Sequence, residues 1–189
     1  MADVWLAPQS SLENRAMPRS PVFAMSETAP VGRFLFRGDE GARKSCSIAF
    51  RIELPQKLGL AGEGSDRAAL WLGPDEWLLL ADGTGGEPTS MTIGVAIGDI
   101  PHSLVDVSHR QVGIVVEGAG AARALSAGCP LDLRQREFPV GFATRTLFEK
   151  TEIVLWRRRA ESFHIEVWRS FAPHLAAVLA EAARDTTHQ

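Results

Sequence analysis

The stretch Leu104–Leu133, LVDVSHRQVGIVVEGAGAARALSAGCPLDL, decides the fold class. Its middle part places Val112, Ile114 and Val116 on one side of an extended chain and polar or small residues on the other, the period of two that is typical of a half-buried strand. Glycines end this pattern, and the alanines that follow have helical spacing. The stretch therefore predicts a strand followed by a short helix.

Two hairpins flank this unit. The first is ALWLGPDEWLLLA, residues 69–81, whose Gly73–Glu76 segment has proline and aspartate at the positions that a turn favours. The second covers residues 151–168 and places Phe163, Ile165 and Val167 on one face of its return strand. Further strands are predicted at residues 33–37 and 144–148.

One more strand is predicted at Cys46–Leu54. Apolar residues occupy every second position of this segment, and Pro55 ends it. Its polar and small residues would face the opposite side of the sheet.

Two helices are predicted besides the short one. Residues 90–100 suit a helix slightly better than a strand, although two glycines weaken it. The last helix follows Ser170, which we expect to cap it, with Pro173 in the first turn. Its apolar stripe consists of Leu175, Val178, Leu179 and Ala182.

Residues 1–30 contain four prolines and predict a flexible or partner-bound N-terminal arm. Trp5 and Phe23 favour the partner-bound form, because an aromatic side chain in a tail needs a place to be buried. Residues 31–189 would form one α+β domain of two duplicated antiparallel sheet units, about 31–103 and 104–189, with helices packed on one face.

The composition is that of an ordinary globular protein, with 45% hydrophobic and 23% charged residues. A net charge of -3 gives no argument for nucleic acid as a partner. No apolar run is long enough for a membrane span, and the N-terminus does not resemble a secretory signal. Cys46 and Cys129 lie far apart, which favours reduced core thiols and a cytoplasmic location.

The polar cluster Asp106, Ser108, His109 contains the residue types of a hydrolase triad. On an extended strand, however, His109 would point away from the other two, so we expect no catalytic residue here. No histidine or cysteine has the spacing of a metal site, and no metal is expected.

Arg157, Arg158 and Arg159 form the densest charge cluster of the sequence. The simpler interpretation is a solvated hairpin tip. The alternative is a clamp for a carboxylate ligand or an acidic partner surface, because guanidinium groups pair bidentately with carboxylates.

Three separated motifs resemble the gamma subunits of heterotetrameric sarcosine oxidases. They are LWLGPDEWLLL, VDVSHR followed by GCPLDL, and Arg145-Thr146 through EVWRSFAPHL. The resemblance covers about residues 32–184. These subunits are themselves similar to the folate-binding fold of the glycine-cleavage T protein, which implies a duplicated α+β fold.

The resemblance also implies an assembly subunit of a complex that demethylates sarcosine oxidatively to glycine, transfers the one-carbon unit to tetrahydrofolate and produces hydrogen peroxide. The implied partners are alpha, beta and delta subunits. FAD, FMN, NAD and tetrahydrofolate would lie on other subunits, and this chain would hold no cofactor.

Asp132 stands where the T protein has the aspartate of an Asn-Asp pair that acts at folate, but Leu131 replaces the asparagine. Together with Asp106, His109 and Arg110 it is a candidate remnant of a folate pocket. The alternative function is therefore a stand-alone folate-binding protein or an aminomethyltransferase-like one-carbon enzyme. An RNA-modification factor of the same superfamily is disfavoured by the acidic pI.

Overall fold

The computed structural model describes residues 10–13, 17–82 and 86–185, with the side chains of 86–88 left aside. The strands are β1 Ala24–Glu27, β2 Val31–Gly38, β3 Ala61–Glu63, β4 Arg67–Gly73, β5 Glu76–Asp82, β6 His102–Asp106, β7 Gln111–Glu117, β8 Ala143–Phe148, β9 Thr151–Arg159 and β10 Ser162–Trp168. The helices are α1 Glu40–Phe50, α2 Gly86–Ile97, α3 Ala121–Ser126 and α4 Ala172–Arg184.

The strands form two antiparallel sheets of five strands each. Sheet I has the order β3-β4-β5-β2-β6, and sheet II has the order β8-β9-β10-β7-β1. One apolar cluster holds α1 and α2 on sheet I, and another holds α3 and α4 on sheet II. A third cluster joins the inner faces of the two sheets. The result is a four-layer sandwich with helices outside, and the predicted α+β class is confirmed.

The chain contains two units with the same order of elements, which is a strand, a helix, three strands and a helix. The first unit runs from β2 to α2 and the second from β7 to α4. The strand that precedes each unit pairs with the sheet of the other unit. β6 follows the first unit and pairs with β2, whereas β1 precedes the first unit and pairs with β7 of the second. The chain therefore crosses between the sheets twice, over residues 28–30 and residues 107–110.

The prediction of a strand at Cys46–Leu54 is wrong, because residues 46–50 lie in α1 and residues 51–54 form no strand. Ala42, Cys46 and Phe50 are fully buried at a spacing of four residues, whereas Ile48 is 80% exposed. An alternating apolar pattern also places apolar residues at every fourth position, as the buried face of a helix requires. The signal that distinguishes the helix is the cap that precedes it. Asp39 accepts a hydrogen bond from the backbone N–H of Ala42 at 2.9 Å.

We expect Asp39→Ala to lower the free energy of unfolding by about 1 kcal/mol, because the first turn of α1 loses its side-chain acceptor. Urea unfolding followed by circular dichroism measures this change. Ser170→Ala is the matched control. Ser170 does not cap α4 as the sequence predicts, since the capping residue is Phe171 and no side-chain bond is made there. An equal loss in both variants would contradict the assignment.

The remaining helix and strand predictions are confirmed. The segment predicted at residues 90–100 lies in the helix α2 as far as Ile97, both hairpins form, and the turn predicted at Gly73–Glu76 is present. Of the apolar stripe predicted for α4, Leu175 and Leu179 are buried, whereas Val178 and Ala182 are half-buried, and the fully inward face also includes Ala176 and Ala183. No helix among the described residues is long and apolar enough to cross a membrane.

No strand is predicted in residues 1–30, yet β1 lies there and extends sheet II. Phe23 is 1% exposed and packs with Met25 in the core beneath α3 and α4. Its side chain is therefore buried by residues of this chain, whereas the sequence suggests burial against a partner. Trp5 lies outside the described residues.

Candidate functional site

The two crossovers between the sheets are related by the internal duplication. The backbone N–H of Thr28 donates to the carbonyl of Gly113 at 2.9 Å, and the backbone N–H of Val107 donates to the carbonyl of Arg33 at 2.8 Å. Arg33 in β2 and Gly113 in β7 thus occupy equivalent positions. A Cβ at Gly113 would lie 2.4 Å from Oγ1 of Thr28 and 3.0 Å from Nη2 of Arg33, so glycine makes room for both side chains.

The polar cluster of residues 106–110 forms the second crossover. Residues 108–110 form a turn, not the extended strand that the sequence suggests. Asp106 accepts from the backbone N–H of Ser108 at 2.8 Å, and Ser108 Oγ accepts from the backbone N–H of Arg33 at 2.9 Å. His109 is exposed, and the guanidinium of Arg110 stacks 5.0 Å from the ring centre of Trp168. These contacts fix the crossover and do not form a triad.

Asp132 lies in the loop after α3 and forms a bidentate ion pair with Arg134. Arg134 Nε donates to both carboxylate oxygens at 2.9 Å. The side-chain and backbone hydrogen bonds from Arg134 lower the pKa of Asp132 to about 2. Within the described part of the chain, no hydrogen bond or ion pair joins Asp132 to Asp106, His109 or Arg110.

The three consecutive arginines have different environments. Arg157 is buried, which lowers the pKa of its guanidinium, and it donates to the carbonyls of Leu133 and Phe138 at 2.8 and 2.9 Å. It therefore anchors the loop after α3 to sheet II and is not part of a solvated tip. Arg158 and Arg159 donate to opposite oxygens of Glu63, which links β9 of sheet II to β3 of sheet I.

A buried chain of charged and polar groups lies between the sheets. Arg33 Nε donates to Glu166 Oε2 at 2.6 Å, and the other carboxylate oxygen lies 2.7 Å from Nε2 of His164. Arg33 is 4% exposed and Glu166 is 1% exposed. Burial acts to raise the pKa of Glu166, but the hydrogen bond and charge of His164 and those of Arg33 outweigh it and hold the pKa below its usual range.

The hydrogen-bonded groups Arg33, Glu166 and His164 were not predicted from the sequence. The pattern of β10 places His164 and Glu166 on the face opposite its apolar residues, a face that a sequence reading takes as solvated. The signal that could have indicated their burial was the predicted duplication. Two sheets that pack together bury both faces of their central strands, since helices cover one face and the other sheet covers the second. Charged residues on that face then need partners of opposite charge.

An open cleft of about 310 Å³ lies at the end of the intersheet space, beside the buried chain. Residues 28–31 of the first crossover form one wall, and the β3–β4 turn, residues 63–68, forms another. Trp156 of β9 and His164 of β10 also line it. Among the described residues, no group of three or more His, Cys, Asp or Glu side chains could hold a metal ion.

Residues 38–185 match the family model described as "Sarcosine oxidase, gamma subunit family". The sarcosine oxidase subunit gamma of Corynebacterium sp. strain U-96 is 37% identical over 82% of this chain and 75% of its own. The subunit from Corynebacterium sp. strain P-1 is 35% identical over 94% of this chain and 95% of its own. That from Arthrobacter sp. is 28% identical at the same coverage.

Two solved structures share the architecture. A chain of the heterotetrameric sarcosine oxidase from Corynebacterium sp. U-96, in complex with pyrrole 2-carboxylate, has a TM-score of 0.89 and 28% identity over 96% of this chain and 97% of that chain. The glycine cleavage system aminomethyltransferase T from Bartonella henselae has a TM-score of 0.64 and 13% identity over 89% of this chain and 47% of its own. The second match concerns the fold alone.

Proposed function

The chain belongs to the sarcosine oxidase gamma subunit family, and on this premise we propose that it is the gamma subunit of a heterotetrameric sarcosine oxidase with a mainly structural role. The complex would demethylate sarcosine oxidatively to glycine, pass the one-carbon unit to tetrahydrofolate and form hydrogen peroxide. Its partners would be alpha, beta and delta subunits.

The similarity to a chain of a heterotetramer is the observation that carries this proposal. It extends over 96% of this chain and 97% of the other, with a TM-score of 0.89. The likeness therefore concerns nearly the whole of both chains and not one part of the fold. A subunit that keeps its whole architecture can present the same surfaces to its partners.

Exposed apolar side chains support a role in assembly. Ile48 on α1 and Met91 and Val95 on α2 are exposed, and these two helices pack side by side on sheet I. Trp168, the last residue of β10, and Phe171, the capping residue of α4, are also exposed. Large exposed apolar side chains that cluster on a surface favour contact with another protein.

The contacts of the candidate folate residues favour a structural role over catalysis. A carboxylate with a pKa of about 2, held by Arg134, is a weak base at neutral pH, so Asp132 is poorly suited to accept a proton. Ser108 and Asp106 are engaged by the crossover backbone. We therefore propose that FAD, FMN, NAD and tetrahydrofolate lie on other subunits and that the stand-alone one-carbon enzyme is the weaker alternative.

We also propose a cytoplasmic location. Cys46 and Cys129 are both buried free thiols, and burial raises the pKa of Cys46 to about 12. Buried protonated thiols of this kind suit a reducing compartment.

Purification of the tagged chain from its source organism tests the proposed function. We expect three further chains to co-purify and the eluate to form hydrogen peroxide when sarcosine is added, while an untagged strain yields neither. Deletion of the gene should abolish assembly of the complex. Recovery of the chain alone, together with unchanged sarcosine oxidation in the deletion strain, would refute the proposal.

A further inference from the structure

β6 is an edge strand of sheet I. It pairs with β2 on one side, and among the described residues no strand pairs with its other side. The backbone N–H of Val107 donates to the carbonyl of Arg33 at 2.8 Å, and bonded pairs alternate along an antiparallel ladder. Every second residue of β6 therefore directs its backbone N–H and C=O away from the sheet. These residues are His102, Leu104 and Asp106.

The internal duplication shows what such an edge binds. β1 has the position of β6 in sheet II, and counting back from the two crossover hydrogen bonds aligns Met25 with Leu104. The N–H of Met25 donates to the carbonyl of Pro18 at 3.0 Å, and Arg19 forms an antiparallel bridge with Ala24. An extended segment thus covers the outer edge of β1. In the part of the chain that the structure describes, no such segment covers Leu104.

The side chains of β6 leave this edge accessible. Four of its five residues are exposed and the central Leu104 is half-buried. Val105, which is apolar, is 49% exposed. A row of accessible backbone donors and acceptors at a sheet edge is a template for a further strand.

The sequence of β6 is complementary to itself. When a second β6 pairs antiparallel about Leu104, each Leu104 lies opposite the Leu104 of the other copy, and each His102 lies opposite the Asp106 of the other copy. All outward-facing residues then form bonded pairs, which gives about six backbone hydrogen bonds. These side chains share the helix-covered face of the sheet, since Leu104 is paired with Phe36 and packs in the cluster beneath α1 and α2.

Charge favours this register over its neighbours. A shift of two residues in either direction would place Leu104 opposite Asp106 or His102 and leave one end of each strand unpaired. Charged residues usually protect a sheet edge, but here unlike groups lie opposite each other and attract. Asp106 contacts the crossover through Oδ1, and His102 contacts the carbonyl of Ile100 through Nδ1. Oδ2 and Nε2 are left for the cross-strand pair.

We propose that β6 pairs antiparallel with β6 of a second copy of this chain. The contact is two-fold symmetric and joins two five-stranded sheets into one continuous sheet of ten strands. This inference goes beyond the proposed function and does not depend on it, because it concerns the chain alone. A complex that holds one copy of the chain could pair with a second complex through the same edge.

Sedimentation equilibrium of the full chain tests the proposal. We expect the average mass to rise from that of one chain towards that of two as the concentration is raised to about 0.5 mM, since a small interface gives weak association. Amide hydrogen exchange locates the contact. Exchange at Leu104 should slow as the concentration rises, whereas exchange at Val107, which is bonded within the chain, should not change.

Leu104→Pro is the first variant. The N–H that proline removes points away from β2, so the ladder of sheet I keeps its bonds while the two central bonds of the dimer are lost. The dimer should weaken more than tenfold. Circular dichroism checks that the variant is folded.

His102→Asp is the second variant and serves if Leu104→Pro fails to fold. It turns both cross-strand pairs with Asp106 into like-charge pairs and should weaken the dimer about tenfold. His102→Lys, which keeps a positive partner for Asp106, should not weaken it. His174→Asp makes the same substitution at an exposed position of α4 and should leave the dissociation constant unchanged.

Three results would overturn the proposal. The first is an unmodified chain that keeps the mass of one chain up to about 0.5 mM. The second is a dimer that neither Leu104→Pro nor His102→Asp weakens, which would assign the contact to another surface. The third is protection of the Leu104 amide only in the purified complex, which would assign the edge of β6 to a strand of a different subunit.

Discussion

Replacement of Glu166 by alanine is expected to lower the free energy of unfolding by about 3–5 kcal/mol. The change leaves the guanidinium of Arg33, which is 4% exposed, without its carboxylate between the two sheets. It also removes the partner of His164 Nε2. An unpaired buried charge is far more costly than the loss of one hydrogen bond, which is why this variant should have the largest effect.

The effect should depend on pH in a defined direction. The pKa of Glu166 in the folded chain lies below the usual value of 4.5, despite its burial, because of His164 and Arg33. A depressed carboxyl pKa contributes stability that is present above the unfolded value and is lost as the pH falls through the folded value. The difference in stability between the unmodified chain and Glu166→Ala should therefore shrink below about pH 4.5.

Urea unfolding of both proteins over a series of pH values measures these changes. Glu181→Ala is the matched control, because Glu181 pairs with Arg184 on the exposed surface of α4. An exposed pair contributes roughly 0–1 kcal/mol, so this variant should change little. If Glu166→Ala were no more costly than the control, the buried pair would not stabilise the packing of the two sheets.

Gly118→Ala is expected to destabilise the protein by about 3 kcal/mol. Gly118 has a φ of +106°, and a Cβ there would lie 2.5 Å from the backbone carbonyl oxygen of Val22. Backbone strain of this kind and forced overpacking each have a cost of about 1–3 kcal/mol. Because Val22 precedes β1, the variant should also loosen this strand from β7.

Gly94→Ala provides the control with the opposite sign. Gly94 lies inside α2, and a Cβ there would meet nothing within 4 Å. Alanine should raise stability by about 0.5–1 kcal/mol, since glycine weakens a helix interior. Thermal unfolding measures whether each variant is less or more stable than the unmodified chain. Amide hydrogen exchange in residues 24–27 measures the loosening of β1. Protection of β1 equal to that of the unmodified chain would contradict the close approach at Val22.

Most of the fold could be predicted from local patterns. The two hairpins, the strand Gln111–Glu117 and the helix α4 follow from apolar periodicity and turn residues that lie close together in the sequence. The failure at Cys46–Leu54 has a clear cause. Apolar residues at every second position also occupy every fourth, and only the cap at Asp39 distinguishes the helix from a strand.

The candidate site could be predicted far less well. The sequence drew attention to Asp106, His109 and Asp132 because they are reactive residue types near one another in the chain. The structure engages Asp106 in a turn and Asp132 in a local ion pair. The cleft is lined by residues 28 and 164 among others, which only the folded chain brings together.

The sequence by itself determined most of the elements, the duplicated α+β class and, through its separated motifs, the family. These depend on periodicity, turn chemistry and residue identity, all of which act within short segments. The tertiary structure decided the exchange of β1 and β6, the burial of Arg33 with Glu166 and the cleft beside His164. The physical reason is that the inner face of each sheet is buried only by the other sheet, so the partner of each charge there is set by packing across more than a hundred residues of chain.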